Sequence, residues 1–172
     1  TSVGTNALDN NSTADNNTAV GYASLGVNTT GTSNVALGAN ALDANTTGSS
    51  NTAVGLGALG SITTGYDNTA VGSGAGSASG NTGGLFNVFV GKGAGSSSIA
   101  SGGVFIGNNA GNTATTGNQV ICIGHNSQPS SATASQEITL GGSSTATLRC
   151  NVQTISSLSD ARDKTNVIDL PE

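Results

Sequence analysis

Asn51-Thr52-Ala53-Val54-Gly55 is the stretch that decides the fold, because close variants of it recur along the chain about every 17 residues. The gaps between successive copies of its glycine are 17, 17, 17, 17, 19, 16, 17 and 17 residues. One short unit repeated nine times is typical of a stacked solenoid, in which each unit buries its apolar face against its neighbours. The nine anchor glycines are Gly4, Gly21, Gly38, Gly55, Gly72, Gly91, Gly107, Gly124 and Gly141.

The composition of the 172 residues excludes several classes of protein. Three Phe, two Tyr and no Trp or Met are too few large side chains for a conventional globular interior. Of the four basic side chains only Lys92 lies among the repeats, and the net charge is −5, so we expect no nucleic-acid partner. No run of 18 apolar residues is present, which predicts no membrane-spanning helix. No residue set predicts a cofactor or metal site.

The residues before each anchor glycine predict a strand. We number the positions of each repeat from its anchor glycine, which is position 0. Position −1 is always aliphatic and position −3 is always β-branched, an alternation of period two. We expect these two positions to share one face that points into the solenoid. Position −2 would then point outward, although it too is mostly apolar: Ser2, Ala19, Ala36, Ala53, Ala70, Phe89, Phe105, Cys122 and Thr139.

Two apolar strand faces imply that both are covered. Each repeat forms one turn of the coil, or rung, and a rung covers only one of the two faces. Neighbouring chains should therefore cover the other face, and packing around a three-fold axis is the simplest closed arrangement. The sequence therefore predicts an all-β protein: a parallel β-solenoid of about nine 17-residue rungs, about 40 Å long, assembled as a homotrimer.

Three further repeat positions predict interior and turn structure. Position +3 is Ala or Ser and position +4 is Leu in the first four rungs, which predicts a second short strand facing the first. Turns such as 28–31 and 45–48 end in glycine, where a positive φ would reverse the chain. Position −4 is Asn in five consecutive rungs, which predicts a ladder of stacked amides: Asn17, Asn34, Asn51, Asn68 and Asn87.

Isolated polar residues offer weak alternatives for chemistry. Asp9 and Asp43 both lie at position +5, about 9.5 Å apart, which is near the carboxylate separation of an inverting glycosidase. His125 could form a ring on a trimer axis. Cys122 is expected to be a small buried hydrophobe, with a bridge to Cys150 as the alternative. The change of phase around Gly91 makes loops 80–85 and 96–103 candidate contact surfaces.

The end of the chain has a different character. The repeats occupy residues 1–142, residues 143–158 predict an extended, strand-like connector, and residues 159–172 predict the start of a truncated C-terminal domain. Because the chain begins within a repeat, we expect it to be a fragment of a longer protein.

The repeats resemble the head repeats of trimeric autotransporter adhesins and the solenoid segments of phage tail fibres. The resemblance covers residues 1–142 and rests on the Asn-Thr-Ala-Val-Gly units. It implies left-handed parallel β-rolls that associate as trimers.

The tail carries a second resemblance. The pattern Ser159-Asp160-x-Arg162-x-Lys164-x-Asn166-Val167 is similar to the opening of the intramolecular chaperone domain of phage tail fibres and endosialidase tailspikes. The resemblance implies self-cleavage at the Ser159–Asp160 bond, with Ser159 as nucleophile and Lys164 as its base. A lysine of depressed pKa can deprotonate a hydroxyl. Asp160, Arg162 and Asn166 would belong to the chaperone motif.

Together these features predict a structural and adhesive protein in the virion. The expected function is the shaft or receptor-binding segment of a bacteriophage tail fibre, which would contact a bacterial cell-surface glycan or outer-membrane receptor and other tail proteins. No enzymatic activity beyond one self-cleavage is expected. The alternatives are the head of a bacterial trimeric surface adhesin and a segment of a polysaccharide-depolymerising tailspike.

Overall fold

The structure is a computed structural model that describes residues 1–78, 82–98, 100–142 and 144. These residues form one nine-stranded parallel sheet in which each strand pairs with the next in sequence, so the chain coils through about eight turns. The predicted all-β parallel solenoid is confirmed, and no helix occurs in the ranges given above. The strands are β1 Ser2–Val3, β2 Thr18–Val20, β3 Val35–Leu37, β4 Thr52–Val54, β5 Thr69–Val71, β6 Val88–Val90, β7 Val104–Ile106, β8 Ile121–Ile123 and β9 Ile138–Leu140.

The strands stay in register where the sequence period changes. Thr69 of β5 pairs with Val88 of β6, which lies 19 residues on, as Thr52 pairs with Thr69 in the preceding step. Before the change of period, the Ser61 hydroxyl donates a hydrogen bond to the Ser77 carbonyl of the next rung, at a separation of 16 residues. The two extra residues therefore lie between Ser77 and Thr82 in the sequence, and the strand register is unchanged.

The strand faces are oriented opposite to the sequence prediction. Position −2 points into the solenoid, whereas positions −1 and −3 point outward and are half-buried or exposed. The prediction that the aliphatic positions line the interior was wrong because the coil is narrow. Small Ala side chains fit between its walls, and two columns of β-branched side chains do not. The fully buried residues at position −2 are Ala19, Ala36, Ala53, Ala70, Phe89, Phe105 and Cys122.

Turns, and not a second strand, form the opposite wall. Leu25, Leu42 and Leu59 at position +4 are fully buried, but their φ angles are 49°, 52° and 51°, in the left-handed region. That conformation costs about 1–2 kcal/mol for a residue with a Cβ. Burial of a Leu side chain stabilises by about 1.5–3 kcal/mol and offsets the cost. The prediction of a second short strand here, or of an extended segment in its place, was wrong, although the side chains do face the strand.

The interior residues at positions −2 and +4 exchange volume along the rod. Position +4 changes from Leu to Gly at Gly76, one rung before position −2 changes from Ala to Phe at Phe89. A Cβ at Gly76 would lie 2.7 Å from the ring of Phe89, so the ring of one rung faces the glycine of the rung before it. A Cβ added at Gly111 would clash with the ring of Phe105, and one at Gly95 would clash with the ring of Phe89. Phe89 and Phe105 stack with ring centroids 5.5 Å apart and an angle of 8° between the planes. The two arrangements fill the same cross-section.

The anchor glycines stack backbone on backbone. Gly55 has a φ of +133°, and a Cβ there would lie 2.6 Å from the carbonyl carbon of Gly72 in the next rung. Only glycine satisfies both constraints. The turn glycines Gly31 and Gly48 differ, because their φ is not positive and a Cβ would strike the neighbouring rung. The predicted positive φ at these turns was wrong, and close approach is what requires glycine there.

The predicted asparagine ladder is present and buried. Asn51 Oδ1 accepts the backbone N–H of Asn68 at 3.0 Å, and Asn51 Nδ2 donates to the Gly65 carbonyl at 2.8 Å. The same pattern links the other members, and the backbone N–H of Gly103 closes the ladder on Asn87 Oδ1 at 2.8 Å. These bonds pair polar groups that would otherwise be buried without partners.

A second amide column runs beside the first and was not predicted. Asn45 Nδ2 donates to Asn28 Oδ1 at 2.8 Å, and Asn28 Nδ2 donates to Asn11 Oδ1 at 2.9 Å. Ile62 takes the equivalent position in the next rung, so Asn45 Oδ1 is buried without a hydrogen-bond donor. The column was visible as Asn at position +7 in three consecutive rungs.

Candidate functional site

The outward strand face is the main candidate surface. We define it as positions −3 and −1 of all nine rungs, two parallel columns that cross every strand of the sheet. Position −3 is Thr1, Thr18, Val35, Thr52, Thr69, Val88, Val104, Ile121 and Ile138. Position −1 is Val3, Val20, Leu37, Val54, Val71, Val90, Ile106, Ile123 and Leu140.

These side chains form an uncharged apolar surface open to solvent. Leu37 is 47% exposed, Ile106 is 38% exposed and Leu140 is 48% exposed. Fourteen of the eighteen positions carry Val, Ile or Leu, the other four carry Thr, and none carries a charge. A strand face in contact with water normally alternates polar outside with apolar inside. Here apolar residues occupy both sides of the strands.

The dimensions of the outward strand face follow from strand geometry. Eight steps between neighbouring strands span about 40 Å, and two residues of one face lie about 7 Å apart along a strand. The footprint is therefore roughly 300 Å², at the lower end of the range of about 300–600 Å² for the largest apolar patch on a typical monomer, a patch that is often functional. The surface has the regular repeat of the sheet beneath it.

The two aspartates considered as a catalytic pair lie in the turns. Asp9 is exposed and Asp43 is half-buried. Burial raises the pKa of Asp43, and backbone hydrogen bonds from Asp43 and Ala44 act in the opposite direction. Neither residue belongs to a group of three potential metal ligands, and the search of the described ranges finds no such group elsewhere.

His125, Lys92 and Cys122 do not form a common site. His125 and Lys92 are exposed at position +1 of their rungs. Cys122 is fully buried in the inward column between Phe105 and Thr139, which confirms it as an interior residue. Burial raises the pKa of its thiol. The alternative bridge to Cys150 lies outside the described residues.

The residues predicted for self-cleavage also lie outside the described residues. This holds for Ser159 and Lys164, for the motif residues Asp160, Arg162 and Asn166, and for the connector 143–158 apart from residue 144. Their assignment therefore stays a prediction from the sequence.

An exposed aromatic pair lies beside the loop at the phase change. Tyr66 and Phe86 meet edge to face with ring centroids 5.3 Å apart, and both rings are partly open to solvent. They come from adjacent rungs, and the backbone N–H of Phe86 donates to the Tyr66 carbonyl at 3.3 Å. Phe86 therefore differs from Phe89 and Phe105, which lie in the interior.

Comparisons with family models, with curated proteins and with solved structures find no match to this chain. A search of the described residues also finds no helix with the length and hydropathy needed to cross a membrane.

Proposed function

We propose that the chain is a structural and adhesive segment of a bacteriophage tail fibre, assembled as a homotrimer through the outward strand face. In this assembly the three sheets meet around a common axis, and the turns face solvent. The fibre segment extends the tail or contacts the host, and its receptor is a glycan or outer-membrane protein of the bacterial envelope. Its other partners are neighbouring tail proteins in the virion.

The observation that carries the proposal is the uncharged apolar outward strand face. Burying it removes apolar area from water and desolvates no ionised group. Copies of the same chain suit it because their rungs have the same spacing, so aliphatic columns meet along the whole rod without drifting out of phase. A closed cyclic assembly also buries the face on every copy.

The assignment to a tail fibre is supported by the resemblance of residues 159–167 to the chaperone motif. Self-cleavage at Ser159–Asp160 would release the chaperone once three chains have wound together. The head of a bacterial trimeric surface adhesin is the second candidate, because its repeats share the same units. A depolymerising tailspike is the third, and within the residues that the structure describes no carboxylate pair lies beside a sugar-stacking aromatic.

Native mass spectrometry of the 172-residue chain tests the assembly. The chain has a mass of 16.5 kDa, so a trimer has three times that mass, about 50 kDa. We expect the trimer for the unaltered chain and a monomer for the double variant Leu37→Lys/Ile106→Lys, which places charges on the outward strand face. Val27→Lys is the matched control, since Val27 is exposed outside that face. A monomeric unaltered chain would refute the proposal.

Two further measurements separate the candidate functions. The intact mass of the purified protein reports cleavage at Ser159–Asp160, which an autotransporter head would not undergo. Incubating the trimer with capsule or lipopolysaccharide distinguishes binding from depolymerisation. A tail-fibre segment should bind to bacterial envelopes without releasing oligosaccharides, whereas a tailspike would shorten the polymer.

A further inference from the structure

We propose that association through the outward strand face has a polarity, by which we mean that it is much stronger at one end of the rod than at the other. Rungs β6–β9 hold the copies together far more tightly than rungs β1–β5. This inference rests on the proposed homotrimer and states which part of the face drives it. The occupant of the face is a second copy of the same chain, in parallel and in register.

The polarity follows from the residues at position −3. In the first five rungs this column contains Thr1, Thr18, Thr52 and Thr69, with Val35 as the one aliphatic member. In the last four rungs every member is aliphatic: Val88, Val104, Ile121 and Ile138. Position −1 shows the same trend, because Ile106 and Ile123 replace the smaller Val of most earlier rungs. The face therefore becomes more apolar and bulkier toward β9.

The threonine hydroxyls oppose association at the other end. Thr18, Thr52 and Thr69 make no side-chain hydrogen bond within the part of the chain that the structure describes, so water satisfies their hydroxyls in the single copy. Packing three copies together removes that water, and a buried hydroxyl without a partner is unfavourable. Val and Ile at the same position lose no hydrogen bond and bury an additional methyl group.

Identical copies fit this surface better than an unrelated partner does. All eighteen side chains are uncharged, so no copy requires a complementary charge from another. The strand register is unbroken from β1 to β9, even across the change of sequence period. Each aliphatic rung of one copy can therefore meet the same rung of the next copy. The more apolar ends of the three copies then lie together at one end of the assembly.

A matched pair of charge variants in the complete chain tests the polarity. Val104→Lys and Thr52→Lys place the same side chain at position −3, one in each region. We expect Val104→Lys to leave a monomer at micromolar concentration. Thr52→Lys should remain a trimer that dissociates more readily than the unaltered chain. Sedimentation equilibrium over a dilution series measures both. Circular dichroism should be unchanged, since position −3 lies outside the solenoid interior.

A conservative exchange sharpens the test without introducing charge. Val104→Thr/Ile121→Thr should weaken the trimer by at least about tenfold, because six side chains change in each trimer. Thr52→Val/Thr69→Val should strengthen it by a similar factor. Equal weakening by the two Lys variants, or stronger weakening by Thr52→Lys, would overturn the polarity while leaving the trimer intact. An unaltered chain that stays monomeric would instead overturn the homotrimer itself.

Discussion

The rungs at β2–β4 and those at β6–β7 fill one cross-section in opposite ways. In the first group the strand contributes Ala and the facing turn contributes Leu, as with Ala36 and Leu42. In the second the strand contributes Phe and the turn contributes Gly, as with Phe105 and Gly111. The strand register is the same in both. The stacked backbone therefore sets the width of the interior, and the side chains divide a fixed volume between the two walls.

The two regions also differ in how they pair buried polar groups. The second asparagine column ends at Asn45, in the first region, and the main one ends at Asn87, next to β6. Beyond Asn87 the ladder position is occupied by Gly103 before β7 and by Val120 before β8, and Val120 is fully buried. The amides fix the register of the first region by hydrogen bonds, whereas aromatic and aliphatic packing stabilises the second. Substitutions test this contrast, because some should destabilise both regions equally and others should have different effects in the two regions.

The largest effect is expected at the anchor glycines, and it should be the same in both regions. Gly55→Ala and Gly107→Ala each place a Cβ 2.6 Å from the backbone of the next rung, with φ values of +133° and +131°. Neither the clash nor the strain can relax without separating two rungs. We expect each variant to lose at least about 4 kcal/mol of unfolding free energy in urea at fixed protein concentration.

Gly57→Ala is the matched control for conformation without a clash. Gly57 has a φ of +63° and nothing within 4 Å of an added Cβ. Ala23 already occupies the equivalent position with a φ of 53°. The cost should be only about 1 kcal/mol. A similar loss for Gly57→Ala and Gly55→Ala would show that backbone contact between rungs is not what requires the anchor glycine.

The next largest effect tests the exchange of volume between the walls. Phe105→Ala should lose about 3–5 kcal/mol through the cavity that it leaves. Gly111→Leu should also be strongly destabilising, since even its Cβ would clash with the Phe105 ring. The double variant reproduces the Ala and Leu pair of the first region and should be more stable than either single variant. Its coupling energy should be about 2–3 kcal/mol in a double-mutant cycle.

Leu42→Ile is the control for that cycle, because it keeps the volume of the first region while changing shape. It should cost less than about 1.5 kcal/mol from packing, plus strain from a β-branched residue at a φ of 52°. Additive effects of Phe105→Ala and Gly111→Leu would mean that the two walls do not compensate each other.

The period of the sequence was sufficient to predict the solenoid but not which face of its strands points into the interior. Both strand faces are apolar, so the alternation at Thr52, Ala53 and Val54 does not distinguish inside from outside. The rule that large aliphatic residues lie inside fails for a coil whose interior accepts only Ala beside Leu. The exchange of Ala for Phe together with Leu for Gly was visible in the sequence and identifies position −2 as the inward one.

The candidate surface was predicted in principle and misplaced in detail. Two-sided apolarity indicated a face for neighbouring chains, and the structure moves that face from Ala53 to Thr52 and Val54. The left-handed turns were missed because Leu is not a residue expected at positive φ. Burial of Leu42 compensates for the strain, and only the packed coil reveals that compensation.

A smaller effect is expected from the amide ladder, and it separates the two asparagine columns. Asn51→Leu leaves the backbone N–H of Asn68 and the carbonyl of Gly65 without their side-chain partners. Two buried groups of this kind should cost about 2–4 kcal/mol in urea unfolding. Asn45→Leu should cost less, because Asn45 Oδ1 already lacks a donor. Equal losses would show that the two columns contribute alike.

The smallest effect is a pH dependence of opposite sign at Asp43, which follows β3 in the first region, and at Glu137, which precedes β9. The raised pKa of Asp43, above the ordinary 3.8, favours its neutral form in the folded chain. Its contribution to stability is therefore present at low pH and is lost as pH rises through the folded pKa. The pKa of Glu137 lies below the ordinary 4.5, because the hydroxyl and backbone N–H of Ser130 donate to its carboxylate.

The contribution of Glu137 is present above pH 4.5 and is lost as pH falls through its folded pKa, opposite in direction to that of Asp43. Carboxyl-carbon NMR titration between pH 2 and 6 should show the two midpoints displaced in opposite directions from those of a model peptide. Asp43→Asn should remove the gain in unfolding free energy that Asp43 gives at acidic pH. Glu137→Gln should remove the decrease in unfolding free energy that accompanies acidification. Displacement of both midpoints in one direction would contradict the opposed environments of Asp43 and Glu137.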